Sequence, residues 1–193
     1  MIFLCPLLLL AACTGIDMQE EIDPDLGYIS TYTVDQKTGE RNGLYTITDS
    51  TGVLMEKGHL QAGIPHGIRE LYYPEGNVKV RERYVEGRLD DLYEYYFPNG
   101  EIELKGYYVN GAMYGLWRKY RHDGSLFDEV MMINNEEMGP FKEYHPNGQI
   151  QAEGTYLHGP FEEGTLKLYN ESGQLQKEMF CVAGRCYTVW AEE

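Results

Sequence analysis

The sequence predicts an all-β fold, a single-layer antiparallel β-meander of stacked hairpins that repeats every 24 residues. Turn glycines recur in steps of 24, 24, 24, 24 and 25 residues, at Gly52, Gly76, Gly100, Gly124, Gly148 and Gly173. The chain also carries 22 Gly and 17 Tyr, with few long apolar runs, which favours strands and turns over helices. A fixed period of this length is typical of repeat proteins, in which each unit is stabilised by its neighbours.

Each unit begins with a short strand that opens on a second series of glycines. The segment GLWRKY at 115–120 shows the pattern, with an aromatic residue at the third place and tyrosine at the sixth. The sixth-place tyrosines are Tyr72, Tyr96, Tyr120, Tyr144 and Tyr169, and the third-place aromatic residues are Tyr45, Tyr93, Trp117 and Phe141. A thin sheet has little else to bury, so these rings are interpreted as core. Stacking of the tyrosines on the sugars of a cell-wall glycan is the alternative.

A turn and a second strand complete each unit. In turns such as FPNG at 97–100, proline presets φ for the first corner of a type I turn, and glycine takes the left-handed position. The second strand places apolar residues at even spacing on one face, with charged residues such as Arg81 and Lys105 on the other. Gly58, Gly106 and Gly154 recur on the apolar face, where they leave room for a neighbouring ring over the backbone.

These repeats define the domain organisation. A leading half repeat at 27–42 precedes six full units, and together they form one repeat domain at 27–187. The predicted units are 43–66, 67–90, 91–114, 115–138, 139–163 and 164–187, followed by a tail at 188–193. Residues 13–26 are acidic and lack a strand period, so they are predicted to form a solvated tether.

The amino-terminal segment MIFLCPLLLLAAC resembles a lipoprotein signal peptide. Its apolar run at 1–12 is too short to span a bilayer as a helix, and it ends on small residues before Cys13, as in a bacterial lipobox. The resemblance implies that Cys13 receives a lipid and becomes the first residue of the mature chain, at the outer membrane of the cell envelope. An ordinary signal peptide or a buried first strand is the alternative.

The net charge and the two remaining cysteines indicate which ligands the protein can bind and how its last hairpin is closed. The formal net charge is −15, which excludes a basic nucleic-acid-binding surface and leaves the lipid anchor as the expected membrane contact. In an exported chain, Cys181 and Cys186 could form a disulfide that closes the last hairpin. A Cys–Cys metal pair is the alternative, although no second Cys or His pair with matching spacing lies nearby.

Motifs for catalysis are missing from the sequence. It contains no HExxH segment, no G-x-S-x-G elbow and no glycine-rich phosphate loop before a helix. The five histidines are interpreted as solvated turn residues. We therefore predict no enzymatic activity and no metal or cofactor.

The units resemble MORN repeats, in the bacterial variant form found in YwqK-type proteins. The resemblance rests on GLWRKYRHDG, DLYEYYFPNG and GPFKEYHPNG, together with the strand ends GYYVNG and GTYLHG. It implies a single-layer meander of hairpins. Asp91 and Asn135 replace glycines, Arg69 replaces an aromatic residue, and the hairpin around Asn135 is predicted to be the least regular.

The resemblance also implies a function in binding. MORN-type repeats are associated with protein interaction and membrane-linked scaffolding, so a lipid-anchored scaffold for an unknown protein partner is the expected function. An antitoxin or immunity protein of a YwqK-like toxin–antitoxin pair is the first alternative. Glycan binding through the tyrosines is the second.

Overall fold

The computed structural model of the chain describes residues 16–192, and all the regular secondary structure there is β-strand. The strands are β1 (Ile16–Ile22), β2 (Ile29–Asp35), β3 (Arg41–Thr48), β4 (Leu54–Gln61), β5 (Ile64–Pro65), β6 (Gly67–Tyr72), β7 (Val78–Val85), β8 (Arg88–Tyr96), β9 (Ile102–Val109), β10 (Ala112–Tyr120), β11 (Leu126–Ile133), β12 (Glu136–Tyr144), β13 (Ile150–Tyr156), β14 (Gly164–Tyr169), β15 (Leu175–Val182) and β16 (Arg185–Ala191). They form one 16-stranded sheet in chain order, with antiparallel neighbours; the short β5 pairs only with β4, which in turn pairs with β6. The predicted all-β meander is confirmed.

The turns within units have the geometry that their sequences predict. In the turn at 97–100, the amide of Phe97 donates to the carbonyl of Glu101 over 2.8 Å, and the amide of Gly100 donates to the carbonyl of Phe97 over 2.9 Å. The final glycine of the six equivalent turns has φ between 80° and 92°. This left-handed conformation explains why glycine recurs there.

The hairpin around Asn135 is regular, so the prediction that it is the least regular was wrong. Asn134 and Asn135 have φ of 53° and 69°, the conformation that Asn110 and Gly111 adopt in the preceding unit. Asparagine tolerates this region better than most residues because its short side chain makes local hydrogen bonds. The irregular connection is instead 157–163, which lies in the one 25-residue step.

The apolar core lies on one face of the sheet. Trp117 is 2% exposed and Phe141 is 6% exposed, although no second layer covers them. The ring of Trp117 lies over Gly106, as Tyr45 lies over Gly58 and Phe141 over Gly154. A side chain at any of these glycines would collide with the ring. The three glycines therefore provide the space that the sequence predicted.

The sheet extends beyond the predicted repeat domain at both ends. Residues 16–22, predicted as a solvated tether, form strand β1, which pairs with β2 over its full length. Likewise, β16 continues to Ala191, into the predicted tail. Both predictions were wrong because they rested on composition, whereas main-chain pairing with a preformed neighbour stabilises even a polar strand. The predicted signal peptide at 1–12 and Cys13 lie outside the described residues.

Turns of successive units are also joined along one edge of the ribbon. The Tyr73 hydroxyl donates to the carbonyl of Tyr96 over 2.7 Å, and His145 Nε2 donates to the carbonyl of Tyr169 over 2.9 Å. His145 is half-buried, so its interpretation as a solvated turn residue was wrong. These bonds connect positions 23 or 24 residues apart and hold each unit against the next.

Candidate interaction surface

A row of charged side chains crosses the face of the sheet opposite the aromatic core. The row, which we call the charged row, has one residue on each of eleven strands, and each residue pairs directly with the next across the sheet. Its members in order are Lys57, Glu70, Arg81, Glu94, Lys105, Arg118, Glu129, Lys142, Glu153, Lys167 and Glu178. Opposite charges that face each other across strands stabilise a sheet by roughly 0.2–1 kcal/mol per pair.

Glu70 shows how the row holds its carboxylates. Lys57 Nζ lies 2.7 Å from one carboxylate oxygen, Arg81 Nε lies 2.9 Å from the other, and the Tyr72 hydroxyl donates over 2.7 Å. Burial raises the pKa of Glu70, but these three donors outweigh it and bring the pKa down to about 2. The charged form is thus stabilised in place, although Glu70 is only 7% exposed.

Four of the five sixth-place tyrosines donate hydrogen bonds to this row. Tyr72 and Tyr96 donate to the glutamate two residues before them, over 2.7 and 2.6 Å. Tyr144 and Tyr169 donate instead to the glutamate of the preceding strand, over 2.8 and 2.7 Å. Burial, together with the neighbouring carboxylate, raises the pKa of Tyr96, Tyr144 and Tyr169 to about 12. These rings are half-buried, and their hydroxyls are engaged with the row.

The third-place aromatic residues lie on the opposite face. Tyr93 and Trp117 each directly precede a row residue in the chain, so their side chains point the other way. Their ring centroids are 5.7 Å apart, and Tyr108 completes the cluster at 5.4 Å from Trp117. Phe141 stacks on Tyr156 at 4.4 Å. The structure therefore separates the two predicted aromatic sets, which sequence reasoning had treated together.

Arg69 replaces an aromatic residue on this core face and forms an ion-pair cluster there. Its guanidinium bonds to Glu56 and Glu82, each over 2.8 Å, and the hydroxyls of Tyr45 and Tyr84 donate to the same two carboxylates. Glu82 occupies the place that Gly58 and Gly106 hold in neighbouring units. The hydrogen bonds that Arg69 donates to Glu56 and Glu82 raise the pKa of its guanidinium above the usual range.

The charged row contains one irregularity. Cations and anions alternate along it except at Lys105 and Arg118, which pair across β9 and β10. This irregularity can be read from the sequence, although the sequence analysis missed it, because the sign of the charge at equivalent positions can be followed from unit to unit. First-strand charges run Glu70, Glu94, Arg118, Lys142 and Lys167, while second-strand charges run Lys57, Arg81, Lys105, Glu129, Glu153 and Glu178. Both series change sign between unit 91–114 and unit 115–138. Within each hairpin the two charges are therefore opposite, and like charges meet only at this boundary.

The two carboxy-terminal cysteines meet in the last hairpin. Cys181 on β15 and Cys186 on β16 are direct cross-strand partners, and their sulfurs are bonded at 2.04 Å. Cys181 is fully buried. The bond links the final strand to the rest of the sheet.

The described residues contain neither a metal-binding cluster nor a membrane-spanning helix. Across residues 16–192 there is no group of three or more His, Cys, Asp or Glu side chains placed to hold a metal ion. The same part of the chain contains no helix with the length and apolarity needed to cross a membrane.

Comparison with known families identifies the repeat. Four segments match the family model described as the MORN repeat variant, at residues 65–86, 92–110, 139–158 and 162–180. The unit at 115–138, which lies between matched segments, and the unit at 43–66, at their amino-terminal side, have the same strand–turn–strand geometry in the structure. No curated protein shows significant similarity to the chain.

Proposed function

We propose that the chain is a non-enzymatic interaction scaffold, anchored in the bacterial cell envelope through a lipid on Cys13. Four of its segments match the MORN repeat variant, and such repeats are commonly protein- or membrane-interaction modules. The observation that supports the scaffold most directly is the charged row. It presents eleven charges in fixed order across eleven strands, and its cations are accessible: the side chains of Arg81 and Arg118 are 41% and 44% exposed. Such a surface suits a protein partner with a complementary charge pattern.

The binding test places a photo-crosslinking amino acid on either face of the full chain in its native cells. Lys142 lies in the charged row, and Lys119 is exposed on the opposite face, so each reports one side of the sheet. We expect one protein to be captured from Lys142 and to capture the scaffold in the reverse experiment. Failure to capture any partner from either face would contradict the proposal.

The lipid anchor rests on the segment Leu10-Ala11-Ala12-Cys13 and needs its own test. Cys13→Ala should abolish labelling with a radioactive fatty acid and release the protein from the outer-membrane fraction. Cys5→Ala is the matched control, since Cys5 lies in the segment that processing removes and should leave labelling unchanged. Labelling that survives Cys13→Ala would refute the anchor.

The two alternatives have less support. For glycan binding, the hydroxyls of Tyr72, Tyr96, Tyr144 and Tyr169 already donate to carboxylates of the row, and their rings are half-buried. For an antitoxin, no feature of residues 16–192 favours a toxin over any other partner. Binding of the purified protein to cell-wall glycan, or capture of a toxin at Lys142, would revive the respective alternative.

A further inference from the structure

The boundary between β9 and β10 has the donors of a carboxylate site but lacks the carboxylate. At every other step of the charged row an anion lies beside a cation, whereas Lys105 and Arg118 face each other directly. Two like charges at paired positions repel each other and destabilise the sheet. An additional negative charge placed over this pair would remove the repulsion.

The donor types at this boundary match those around Glu70. Glu70 is held by two cations of the row and by the hydroxyl of Tyr72. At the boundary the cations are Lys105 and Arg118, and the equivalent sixth-place tyrosine is Tyr120. The other tyrosines donate either to the row residue two places earlier or to that of the preceding strand. For Tyr120 these positions hold Arg118 and Lys105, neither of which can accept a hydrogen bond.

The donors at the boundary also retain unused capacity. Among the residues that the structure describes, the Tyr120 hydroxyl has no hydrogen-bond partner, and Arg118 donates only through Nε, to Glu129 over 3.2 Å. Lys105 makes one ion pair, with Glu94 at 3.2 Å. The Lys105 and Arg118 side chains are 36% and 44% exposed, so a ligand can reach them.

Two exposed tyrosines lie beside the cation pair on the same face. Tyr107 follows Lys105 by two residues on β9, and Tyr114 is its direct partner on β10. They are 47% and 49% exposed, whereas the sixth-place tyrosines are half-buried. A partner that reaches the cations would therefore also bury aromatic surface, which supplies affinity that exposed ion pairs alone lack.

We propose that Lys105, Arg118 and Tyr120, flanked by Tyr107 and Tyr114, form the docking site for a carboxylate side chain of an acidic segment on a partner protein. This deepens the proposed function and rests on it. A carboxylate is favoured because the same donor types hold the row's own glutamates. The net charge of −15 does not prevent binding, because salt screens charges beyond about 8 Å at physiological ionic strength.

The test uses nuclear magnetic resonance on the isotope-labelled protein, titrated at constant ionic strength. The probe is a capped pentapeptide of one tyrosine between two pairs of glutamates, and its control replaces every glutamate with glutamine. We expect shifts concentrated in residues 104–108 and 114–120 with the glutamate peptide and none with the glutamine peptide. The double variant K105Q/R118Q should weaken binding about tenfold or more, since two charge pairs are lost. K119Q, an exposed cation on the opposite face of the same strand, should leave binding unchanged.

Three results would overturn the inference: shifts spread evenly over all the lysines, equal binding by the K105Q/R118Q variant, or tighter binding of inorganic phosphate than of the peptide. A thermal melt of K105Q/R118Q checks its fold, and we expect no loss of stability because the variant removes a repulsive pair. The crosslinking experiment separates the two proposals. If K105Q/R118Q still captures the same partner from Lys142, the docking site is wrong and the scaffold stands.

Discussion

Gly106→Ala tests whether a ring packed on bare backbone holds this single-layer sheet together. A Cβ atom added at Gly106 would lie 2.6 Å from Cγ of Trp117 and closer still to Cδ2 and Cε2. Ordinary carbon contacts are about 3.5–4.0 Å, so the indole must move by about 1 Å or more. Trp117 is 2% exposed and contacts Tyr93 and Tyr108, which leaves it little room.

The expected loss in the free energy of unfolding depends on how much packing the Trp117 ring gives up when it is displaced. Overpacking typically costs about 1–3 kcal/mol, and complete loss of a buried tryptophan costs roughly 3–5 kcal/mol. We expect about 3 kcal/mol for Gly106→Ala, measured by urea denaturation followed by circular dichroism. Gly58→Ala should cost less, because the added Cβ would meet the outer end of the Tyr45 ring at 2.7 Å, where the side chain can swing away.

A double-mutant cycle provides the decisive control. If the collision with Trp117 causes the loss, Gly106→Ala should be nearly neutral in a Trp117→Ala background, because the indole is gone. It could even add stability there, since alanine favours a strand more than glycine does. An equal cost in both backgrounds would refute the ring-over-glycine explanation of the core.

Three further predictions concern the repeat, the backbone and the charged row. Deletion of residues 91–114, one whole period, should leave a folded protein with a β-sheet circular dichroism spectrum and a lower melting temperature, because β7 then meets a compatible strand; an unfolded product would contradict the modular sheet. Asp91→Gly should stabilise the protein by about 0.5–1 kcal/mol in urea melts, because φ is 81° at Asp91 and 79–102° at the five equivalent glycines; unchanged stability would show that aspartate is unstrained there. The pKa of Glu70 falls from 4.5 to about 2 on folding, so its contribution is present above pH 4.5 and is lost as the pH falls towards 2. Glu70→Gln should cost about 1–2 kcal/mol at pH 7, after allowance for solvent screening, and should flatten the acid limb of the stability curve, whereas exposed Glu136→Gln should do neither.

The sequence predicted the repeat, the hairpins and the glycines beneath the rings because these features depend on local rules. Turn glycines report a backbone conformation, and alternation within one strand assigns side chains to faces. Trp117 and Gly106 were both assigned to the apolar face on that basis, which the structure confirms.

The charged row was missed because it depends on register between strands. Arg81 and Lys105 were assigned to the solvent-exposed face of their strands. Their alignment with Glu70 and Glu94, however, follows from the bulges that set the register between neighbouring strands. Strand β1 was missed for a related reason. Its residues are mostly exposed, so nothing in its own composition required a strand, and the edge of β2 supplied the pairing.

Near-identical hairpins can pair with the wrong neighbour during folding. The ion-pair cluster around Arg69 makes such mispairing less favourable. Arg69 and Glu82 lie in the same hairpin, whereas Glu56 lies on β4 of the preceding hairpin, so a wrong order would leave the Glu56 carboxylate without its cation. Conversely, Arg69 placed beside Gly106 would keep Glu82 but lose Glu56. Because unpaired buried charges cost several kcal/mol, a mis-ordered sheet is penalised at this one unit more heavily than at any ring-over-glycine unit. The pair of Arg69 and Glu56 therefore specifies which hairpin follows which at this point of the ribbon, information that an otherwise uniform repeat does not encode.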